Sequence, residues 1–461
     1  MVKLRTLISI NNIGIHWSSK MVELKRNVGL FGAASVGIAN IIGAGIFVVS
    51  GVAAGLAGPS VILSFFLAGF IAMMTALSAA ELSSFVTETG ASYAFTKRAF
   101  GRFWSHLVGW FKYFDYVAGG AAVSVGFAAY FTALFGLTGA APLIIVAIGL
   151  PLIFTILNVI GVRETVYATS IMVLIKIFAL VLLLMVGGFY LAQHFDIANY
   201  TPFFPNGPNG TFSGAAIIFF AFLGFNTVSM MSEETKDPER TIPKALMLAF
   251  FVTFVLYMLV GFLEIGVLSW TQLGQSASPI EDVAAAISNN RMFLDFIAFS
   301  ALIATGSVLL SSIIGGTRAS FAMGRDGLLP RQFDSISHRF CTPYISIIVG
   351  GSIIVILAGI FYNDINAIAS IVNFGSLFTY LFVHLSLIKL RRSEPEVRRG
   401  FKVPLYPIVP VAGAISCVLL MYYLSTNAMI TSALWFCVGL LVYFVMARRV
   451  GKSGHSSEKP A

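Results

Sequence analysis

Gly37 to Gly51 reads GIANIIGAGIFVVSG and lies within an apolar run that is long enough to cross a membrane. It contains four glycines, whereas a continuous membrane helix favours larger apolar residues. An interrupted helix leaves backbone N–H and C=O groups unpaired in hydrocarbon, and this is tolerated only where the interruption lines a cavity. The stretch therefore predicts a membrane helix that is broken at Gly43-Ala44-Gly45, with a binding site at the break.

A second apolar run, Ser213 to Ser232, reads SGAAIIFFAFLGFNTVSMMS and carries Gly224 and Asn226 near its middle. Two broken helices in separate halves of a chain are the sequence pattern of a secondary transporter, whose substrate site lies near the middle of the membrane. The two runs together therefore predict transport of a small molecule.

The composition is that of a polytopic membrane protein, because 57% of the 461 residues are hydrophobic and only 11% are charged, against roughly 25% charged in soluble domains. The net charge of +9 comes from short basic clusters between apolar runs, as membrane orientation requires, so nucleic acid is not expected as a partner. None of the six histidines has a metal-ligand neighbour, and there is no P-loop or catalytic triad. We therefore expect no cofactor, no metal, no ATP drive and no enzyme activity.

Twelve apolar runs are long enough to span a bilayer. They lie near Leu30–Ala54, Pro59–Phe85, Phe103–Leu134, Pro142–Val162, Val166–Ala192, Ser213–Met231, Pro243–Trp270, Met292–Met323, Tyr344–Phe361, Ile365–Leu390, Ile408–Leu424 and Ile430–Ala447. Lys and Arg collect in every second loop, which predicts that both termini are cytoplasmic in a multi-pass protein of the plasma membrane. Met21 is an alternative to Met1 as the start of the chain.

Four stretches together resemble the amino acid permeases of the amino acid/polyamine/organocation superfamily. They are NIIGAGIF (Asn40–Phe47), AELSSFVTETGASYAF (Ala80–Phe95), FFAFLGFNTVSMMSEETKDPERTIPKAL (Phe219–Leu246) and TRASFAMGRDGLLP (Thr317–Pro330). The chain departs from the family pattern at Thr87, where proline is usual, and at Asn226, where many members carry an acidic residue. The second departure argues against direct proton carriage at that position.

The resemblance implies an all-α fold of five plus five spans in inverted repeat, with spans one and six broken and two additional C-terminal helices. The corresponding boundaries are a cytoplasmic segment 1–28, a first repeat 29–192, a second repeat 213–390, two further helices 407–447 and a cytoplasmic tail 448–461.

A zwitterionic amino acid is the substrate that the two breaks predict. Its charges must be paired near the membrane midplane, because desolvation costs several kcal/mol or more per unpaired ion. The amides of Gly43, Ala44 and Gly45 begin the outer half-helix and suit a carboxylate, and the carbonyl of Ile41 ends the inner half and suits an ammonium. By resemblance, the sixth span adds pocket walls and carbonyls from Phe220, Ala221, Leu223, Gly224 and Asn226. The alternative is that the glycines only permit close helix packing.

The aromatic residues Phe220, Phe222 and Phe225 predict an apolar lid over this site, which favours neutral or hydrophobic substrates.

Lys176 lies deep inside the fifth apolar run, too far from either end to reach water comfortably. It needs hydrogen-bonding partners or must lose its proton, so we expect it to couple proton entry to transport. By resemblance it takes the place of a sodium ion between spans one and eight, with Ser311 and Ser312 as neighbours. The alternative is a fixed structural ammonium that never titrates.

Other charged residues within or beside the spans have less specific interpretations. Glu81 is expected to pair with a basic loop residue such as Arg98, and Glu264 to lie at the membrane interface. Lys112 and Asp115 have the i, i+3 spacing of a pair on one helix face, with a cationic substrate as the alternative partner of Asp115. The segment SEETKDPERTIPKAL is expected to form a salt-bridge gate or a solvated loop.

Together these features predict a secondary active transporter of amino acids that works by proton-coupled uptake and alternating access. The partners are then the amino acid, the proton and the lipid bilayer. A sodium symporter and an amino acid exchanger or polyamine antiporter of the same fold are the alternatives.

Overall fold

The computed structural model of the chain describes residues 28–86, 90–161, 166–231, 235–337 and 339–454. The N-terminal segment with Met21, the Thr87 departure and the carboxylates Glu233 and Glu234 of the expected gate lie outside the described residues.

The described residues form α-helices joined by short turns and no β-strand, so the all-α prediction is confirmed for them. The helices are α1 Leu30–Ile41, α2 Ser50–Ala57, α3 Val61–Ser83, α4 Ser92–Phe100, α5 Arg102–Leu134, α6 Ala140–Ile160, α7 Val166–His194, α8 Gly207–Ile218, α9 Asn226–Met230, α10 Pro238–Val267, α11 Trp270–Gln275, α12 Pro279–Ile287, α13 Arg291–Arg325, α14 Tyr344–Ile360, α15 Ile365–Ser393, α16 Ile408–Tyr422 and α17 Thr426–Gly454.

Within the described ranges, nine helical segments are long and apolar enough to cross a membrane. The first of them, Leu30–Ser83, has 54 residues and joins α1, α2 and α3 through short irregular turns. Two shorter apolar helices, α14 and α16, have 17 and 15 residues. Large apolar side chains face outward along the outer helices, for example Ile145, Leu174 and Leu441 at 68%, 67% and 64% exposure. Such a surface is suited to lipid, and the chain is a multi-pass membrane protein.

Helix α5 is the centre of the bundle, because most of its length is buried and it packs against α6, α13, α14 and α15. Helices α1 and α8, which precede the two breaks, pack against α10 and α3 respectively. This arrangement brings the middle of α5 and the middle of α13 next to both breaks.

Both predicted interruptions are present. In the first, α1 ends at Ile41, Ile42 is extended with ψ 98°, and a π-helical turn over Gly45–Val49 leads into α2. In the second, a 3-10 turn over Phe219–Phe222 follows α8, and Leu223 is extended with ψ 161° before α9 begins. A π-turn inside a helix is frequent at functional sites.

Helix α10 begins earlier than the sequence suggested. Its first residue is Pro238, whereas Pro243, where the seventh apolar run was expected to begin, lies inside it. Asp237 precedes it in a left-handed conformation with φ 46°, and Pro at the first helical position has no N–H to satisfy.

Glu81 is fully buried near the end of α3 and pairs with basic residues, as expected, but Arg98 is not one of them. Its carboxylate accepts two hydrogen bonds from Arg391, at 2.7 and 2.6 Å, and one from the backbone N–H of Val403 at 2.6 Å. Arg98 instead pairs with Glu394 at 2.7 Å on the surface. The expectation for Arg98 was wrong because the last turn of α15 packs on α3, although it is far away in sequence. Arg391 lies in that turn, and its guanidinium reaches the buried carboxylate.

Replacing Glu81 by Gln is expected to lower the free energy of unfolding by about 3 kcal/mol, because breaking a buried pair leaves an uncompensated charge. Glu394→Gln is the matched control, and it removes a partly exposed pair worth at most about 1 kcal/mol. Denaturant titration of the purified protein in detergent measures both. Equal destabilisation by the two variants would contradict the role assigned to Glu81.

Candidate functional site

The two breaks touch each other through backbone atoms. A Cβ built on Gly45 would lie 2.2 Å from the Cα of Ala221, and one built on Gly224 would lie 2.6 Å from the carbonyl oxygen of Asn40. Gly224 also has φ +103°, a conformation that side-chain-bearing residues rarely adopt. Glycine is therefore required at both positions for the two backbone segments to approach each other.

Side chains from other helices satisfy carbonyls that the breaks release. In the first break, Lys176 of α7 donates to the carbonyls of Ala39 and Ile42 at 2.7 and 2.9 Å, and Tyr257 of α10 donates to Ile41 at 2.9 Å. In the second, the amide of Asn373 on α15 donates to two carbonyls of α8, those of Ala216 at 2.8 Å and Ile217 at 2.9 Å. Unpaired carbonyls are costly in a membrane interior, so these donors stabilise the interruptions.

Lys176 is fully buried and engages the inner half of the first break rather than the cavity itself. The two carbonyls are the hydrogen-bonding partners that a lysine so deep in the membrane was expected to need. Both interpretations of this lysine, a coupling group and a fixed structural donor, are compatible with these bonds. Ser311 and Ser312, the expected neighbours on the eighth span, lie in α13 and line the cavity described next.

A cavity of about 70 Å³ lies between the breaks, α5, α13 and α15. The structure brings together on its wall eight of the nine residues predicted for substrate binding, and these are Ile41, Gly43, Ala44, Gly45, Phe220, Leu223, Gly224 and Asn226. Ala221 is not on the wall and packs against Gly45 instead. The breaks therefore face one cavity within the bundle.

The aromatic lid was predicted incorrectly, because only Phe220 lines the cavity. Phe222 packs against Phe250 and Tyr257, and Phe225 packs against Tyr380, and both are fully buried. A 3-10 turn has three residues per turn rather than 3.6, so it rotates the following side chains away from the directions that a regular helix gives.

The wall of the cavity is more polar than the sequence suggested. Lys112 and Asp115 of α5 form the expected ion pair and also both line the cavity, with Asp115 accepting a further bond from Ser376 at 2.7 Å. Asn40, Tyr116, Gly119 and Thr227, which the sequence analysis did not select, line it as well. Their small or polar side chains midway along apolar helices were the signal available.

Asn226 is 2% exposed and its side-chain nitrogen has no hydrogen-bond partner within the described part of the chain. It lies on the wall of the cavity at the start of α9. A buried amide donor without a partner is rare and indicates a group that a ligand or water satisfies.

A larger cavity of about 610 Å³, which we call the vestibule, begins one helical turn further along the same helices. Its wall includes Val48 of the π-turn, Trp270 and Asp364. Between the two cavities, α5 packs closely on the π-turn, since a Cβ on Gly126 would lie 2.8 Å from Val48. A thin layer of small side chains therefore separates the vestibule from the cavity at the breaks.

Glu264 was expected at the membrane interface, and the structure buries it between α10 and α2. It is 1% exposed and accepts a hydrogen bond from Ser50 of α2 at 2.8 Å. It lies in the last turn of α10, which ends at Val267, and α2 covers it there.

The end of the bundle that carries the basic loops is held by a polar cluster between α4 and the end of α13. Asp326 accepts hydrogen bonds from Lys97 at 2.8 Å and from Tyr93 at 2.5 Å. Burial acts to raise the pKa of Asp326, but these two hydrogen bonds outweigh it and hold that pKa below its ordinary value. Arg102 adds bonds to the carbonyls of Asp326 and Gly327. These contacts join α4 and the start of α5 to the turn after α13, so they hold this end of the bundle closed.

The profile of the amino acid permease family matches residues 28–447, which is most of the chain. The chain belongs to this family. The resemblance to permeases of the amino acid/polyamine/organocation superfamily is thereby confirmed, and the permease is a membrane transporter and not an enzyme.

Three curated relatives each match 84% or more of the permease. It is 32% identical over 447 residues to the branched-chain amino acid permease BcaP of Bacillus subtilis (strain 168), with 93% of this chain and 95% of the relative covered. It is 33% identical to the methylthioribose transporter of the same organism, with 94% and 95% covered. It is 30% identical over 407 residues to the vacuolar cationic amino acid transporter 4 of Arabidopsis thaliana, with 84% of this chain and 66% of the relative covered.

Proposed function

We propose that this permease imports neutral amino acids across the plasma membrane in company with protons, by alternating access. The observation that carries the proposal is that both helix breaks face one cavity while donors from neighbouring helices hold the released carbonyls on its far side. Such a site offers free backbone groups to the carboxylate and the ammonium of a small zwitterion.

The substrate carboxylate is proposed to bind the amides of Gly43, Ala44 and Gly45. These residues begin the π-turn and α2, where the first N–H groups have no intrahelical acceptor and the helix dipole is positive. The carbonyls of Ile41 and Phe220 already accept bonds, from Tyr257 and from the N–H of Leu223, so the ammonium is assigned mainly to the carbonyl of Leu223 in the second break.

We propose twelve membrane spans arranged as two inverted repeats of five, 29–192 and 213–390, followed by two helices within 407–447. Dividing the 54-residue segment Leu30–Ser83 at the turn Gly58–Ser60 and adding α14 and α16 accounts for this number. The contacts α3 with α10, α5 with α13 and α6 with α14 pair spans two, three and four with the spans five places later, which supports the repeat.

The two donors at the breaks support the same symmetry. Lys176 lies in the fifth span and holds carbonyls of the first, and Asn373 lies in the tenth span and holds carbonyls of the sixth. The last span of each proposed repeat thus supplies a donor to a broken span, Lys176 with a group that can release a proton and Asn373 with one that cannot.

A neutral substrate is favoured because the charged side chains on the wall of the cavity, Lys112 and Asp115, neutralise each other. The relatives named above span branched-chain amino acids, methylthioribose and cationic amino acids, and we assign this chain to the amino acid group on the strength of the zwitterion site. The basic loops support cytoplasmic termini.

Alternating access is proposed to operate through the thin layer between the vestibule and the cavity. Movement of the π-turn away from Gly126 would join the two spaces at one end, and release of the Asp326 cluster would open the other end. Lys176 is proposed to couple this movement to a proton, because its ammonium holds the end of α1 at the break.

Uptake into proteoliposomes tests the coupling ion. An inward proton gradient is expected to drive accumulation of a radiolabelled neutral amino acid in sodium-free buffer, and a protonophore is expected to abolish it. A sodium gradient that drives accumulation equally well without a proton gradient would favour the symporter alternative. Accumulation that requires only amino acid inside the vesicles would favour an exchanger.

A further inference from the structure

The Lys112–Asp115 pair occupies an unusual place, because it is a buried ion pair whose two members both face the proposed substrate cavity. Lys112 is 6% exposed and Asp115 is 7% exposed. Replacing a buried ion pair by apolar residues of similar volume is often neutral or stabilising, so fold stability alone does not explain a pair at this position.

The pair retains hydrogen-bonding capacity toward the cavity. Asp115 accepts one bond from Lys112 through Oδ2 and one from Ser376 through Oδ1, and a carboxylate has about four acceptor sites. The Lys112 ammonium has three N–H groups, of which one serves Asp115, and it lies 4.8 Å from the centre of the Tyr116 ring. A donor and an acceptor are therefore available side by side.

Asn226 adds a third polar group from the opposite break. Its side-chain nitrogen is buried, lines the same cavity and has no partner within the described residues. In a cavity of about 70 Å³ a ligand that fills the space contacts this amide as well as the α5 pair.

We propose that Lys112, Asp115 and Asn226 form a subsite for an uncharged polar group on the substrate side chain, a hydroxyl or a carboxamide. This inference rests on the proposed amino acid transport and narrows its substrate class to small polar amino acids such as threonine, serine and asparagine. A hydroxyl donates to Asp115 and accepts from Lys112 without disturbing their pairing. A cationic side chain is repelled by the Lys112 ammonium, and an anionic side chain is repelled by the Asp115 carboxylate.

Pairs of amino acids with nearly equal shape provide the test. L-Threonine and L-valine differ by a hydroxyl in place of a methyl group, and L-asparagine and L-leucine differ by a carboxamide in place of a branched alkyl group. Dissociation constants for all four are measured by calorimetry on the purified full chain in lipid nanodiscs. We expect threonine and asparagine to bind at least about tenfold more tightly than their apolar counterparts, as one hydrogen bond to a charged group allows.

The double variant Lys112→Met with Asp115→Leu removes both charges together, so neither is left unpaired. It is expected to reduce the preference for threonine over valine to less than about twofold while valine still binds, which demonstrates a folded site. The matched control neutralises an exposed ion pair at the start of α13, Arg291→Gln with Asp295→Asn, and is expected to keep the preference.

The outcomes separate the inference from the proposed function. Valine and leucine binding as tightly as threonine and asparagine to the unchanged chain would overturn the subsite alone, and this measurement decides the matter even when the double variant does not fold. Tighter binding of L-lysine than of L-threonine would overturn it in favour of a cation site at Asp115. Failure of every amino acid to bind would overturn the proposed function and the subsite with it.

Discussion

Lys176→Ala is expected to reduce proton-driven uptake by about 100-fold or more. The change removes the donor from the carbonyls of Ala39 and Ile42 in a buried position. Each buried carbonyl left without a partner costs about 1–3 kcal/mol, and a loss of 1.4 kcal/mol is a factor of ten in an equilibrium. The end of α1 then no longer keeps the geometry that presents the first break to the cavity, so both substrate affinity and transport fall.

Lys176→Gln separates the two roles considered for this residue. The glutamine amide still offers two N–H donors, but it cannot take up or release a proton. If Lys176 couples proton entry to transport, the variant binds substrate and exchanges it across the membrane, but a proton gradient no longer drives accumulation. If the lysine is only a fixed donor, accumulation driven by protons survives. Lys389→Gln is the control, since Lys389 lies exposed on α15 away from the cavity and its replacement should leave uptake unchanged.

The positions of both breaks were predictable from sequence because glycine is irreplaceable there. At Gly45 and Gly224 a Cβ would lie closer to another backbone segment than van der Waals contact allows, so only glycine fits at these two positions. Lys176 was identifiable for a similar reason, since a lysine in the interior of an apolar run has few structural explanations.

The donors Tyr257 and Asn373 were not predictable from the sequence. A tyrosine or an asparagine in an apolar helix is common, and its partner is decided by which helix packs beside it. The partner of Glu81 was missed for the same reason, because Arg391 is 310 positions away in sequence and only the packing of α15 on α3 brings them together. The orientation of Phe222 and Phe225 depended on a 3-10 turn whose start the residue pattern did not mark.

Gly224→Ala and Gly45→Ala are expected to weaken substrate binding by about 100-fold. At Gly224 the added Cβ meets the Asn40 carbonyl, and the residue must also keep φ +103°; these two effects together cost roughly 2–4 kcal/mol. At Gly45 the added Cβ falls on the Cα of Ala221, which is backbone and cannot rotate away. In each case the breaks must separate, and the amides and carbonyls that are proposed to hold the zwitterion no longer converge on one ligand.

Gly149→Ala in α6 and Gly188→Ala in α7 are matched controls, because no atom of the described residues lies within 4 Å of a Cβ at either position and both glycines are helical. Alanine is the better helix former by about 1 kcal/mol, so these variants should bind substrate normally and melt at the same or a slightly higher temperature. Binding is measured per mole of folded protein after size-exclusion chromatography, which separates a damaged site from a lost fold. Normal affinity in folded Gly45→Ala or Gly224→Ala protein would mean that the two breaks need not touch for the substrate to bind, and the zwitterion site would have to lie elsewhere in the bundle.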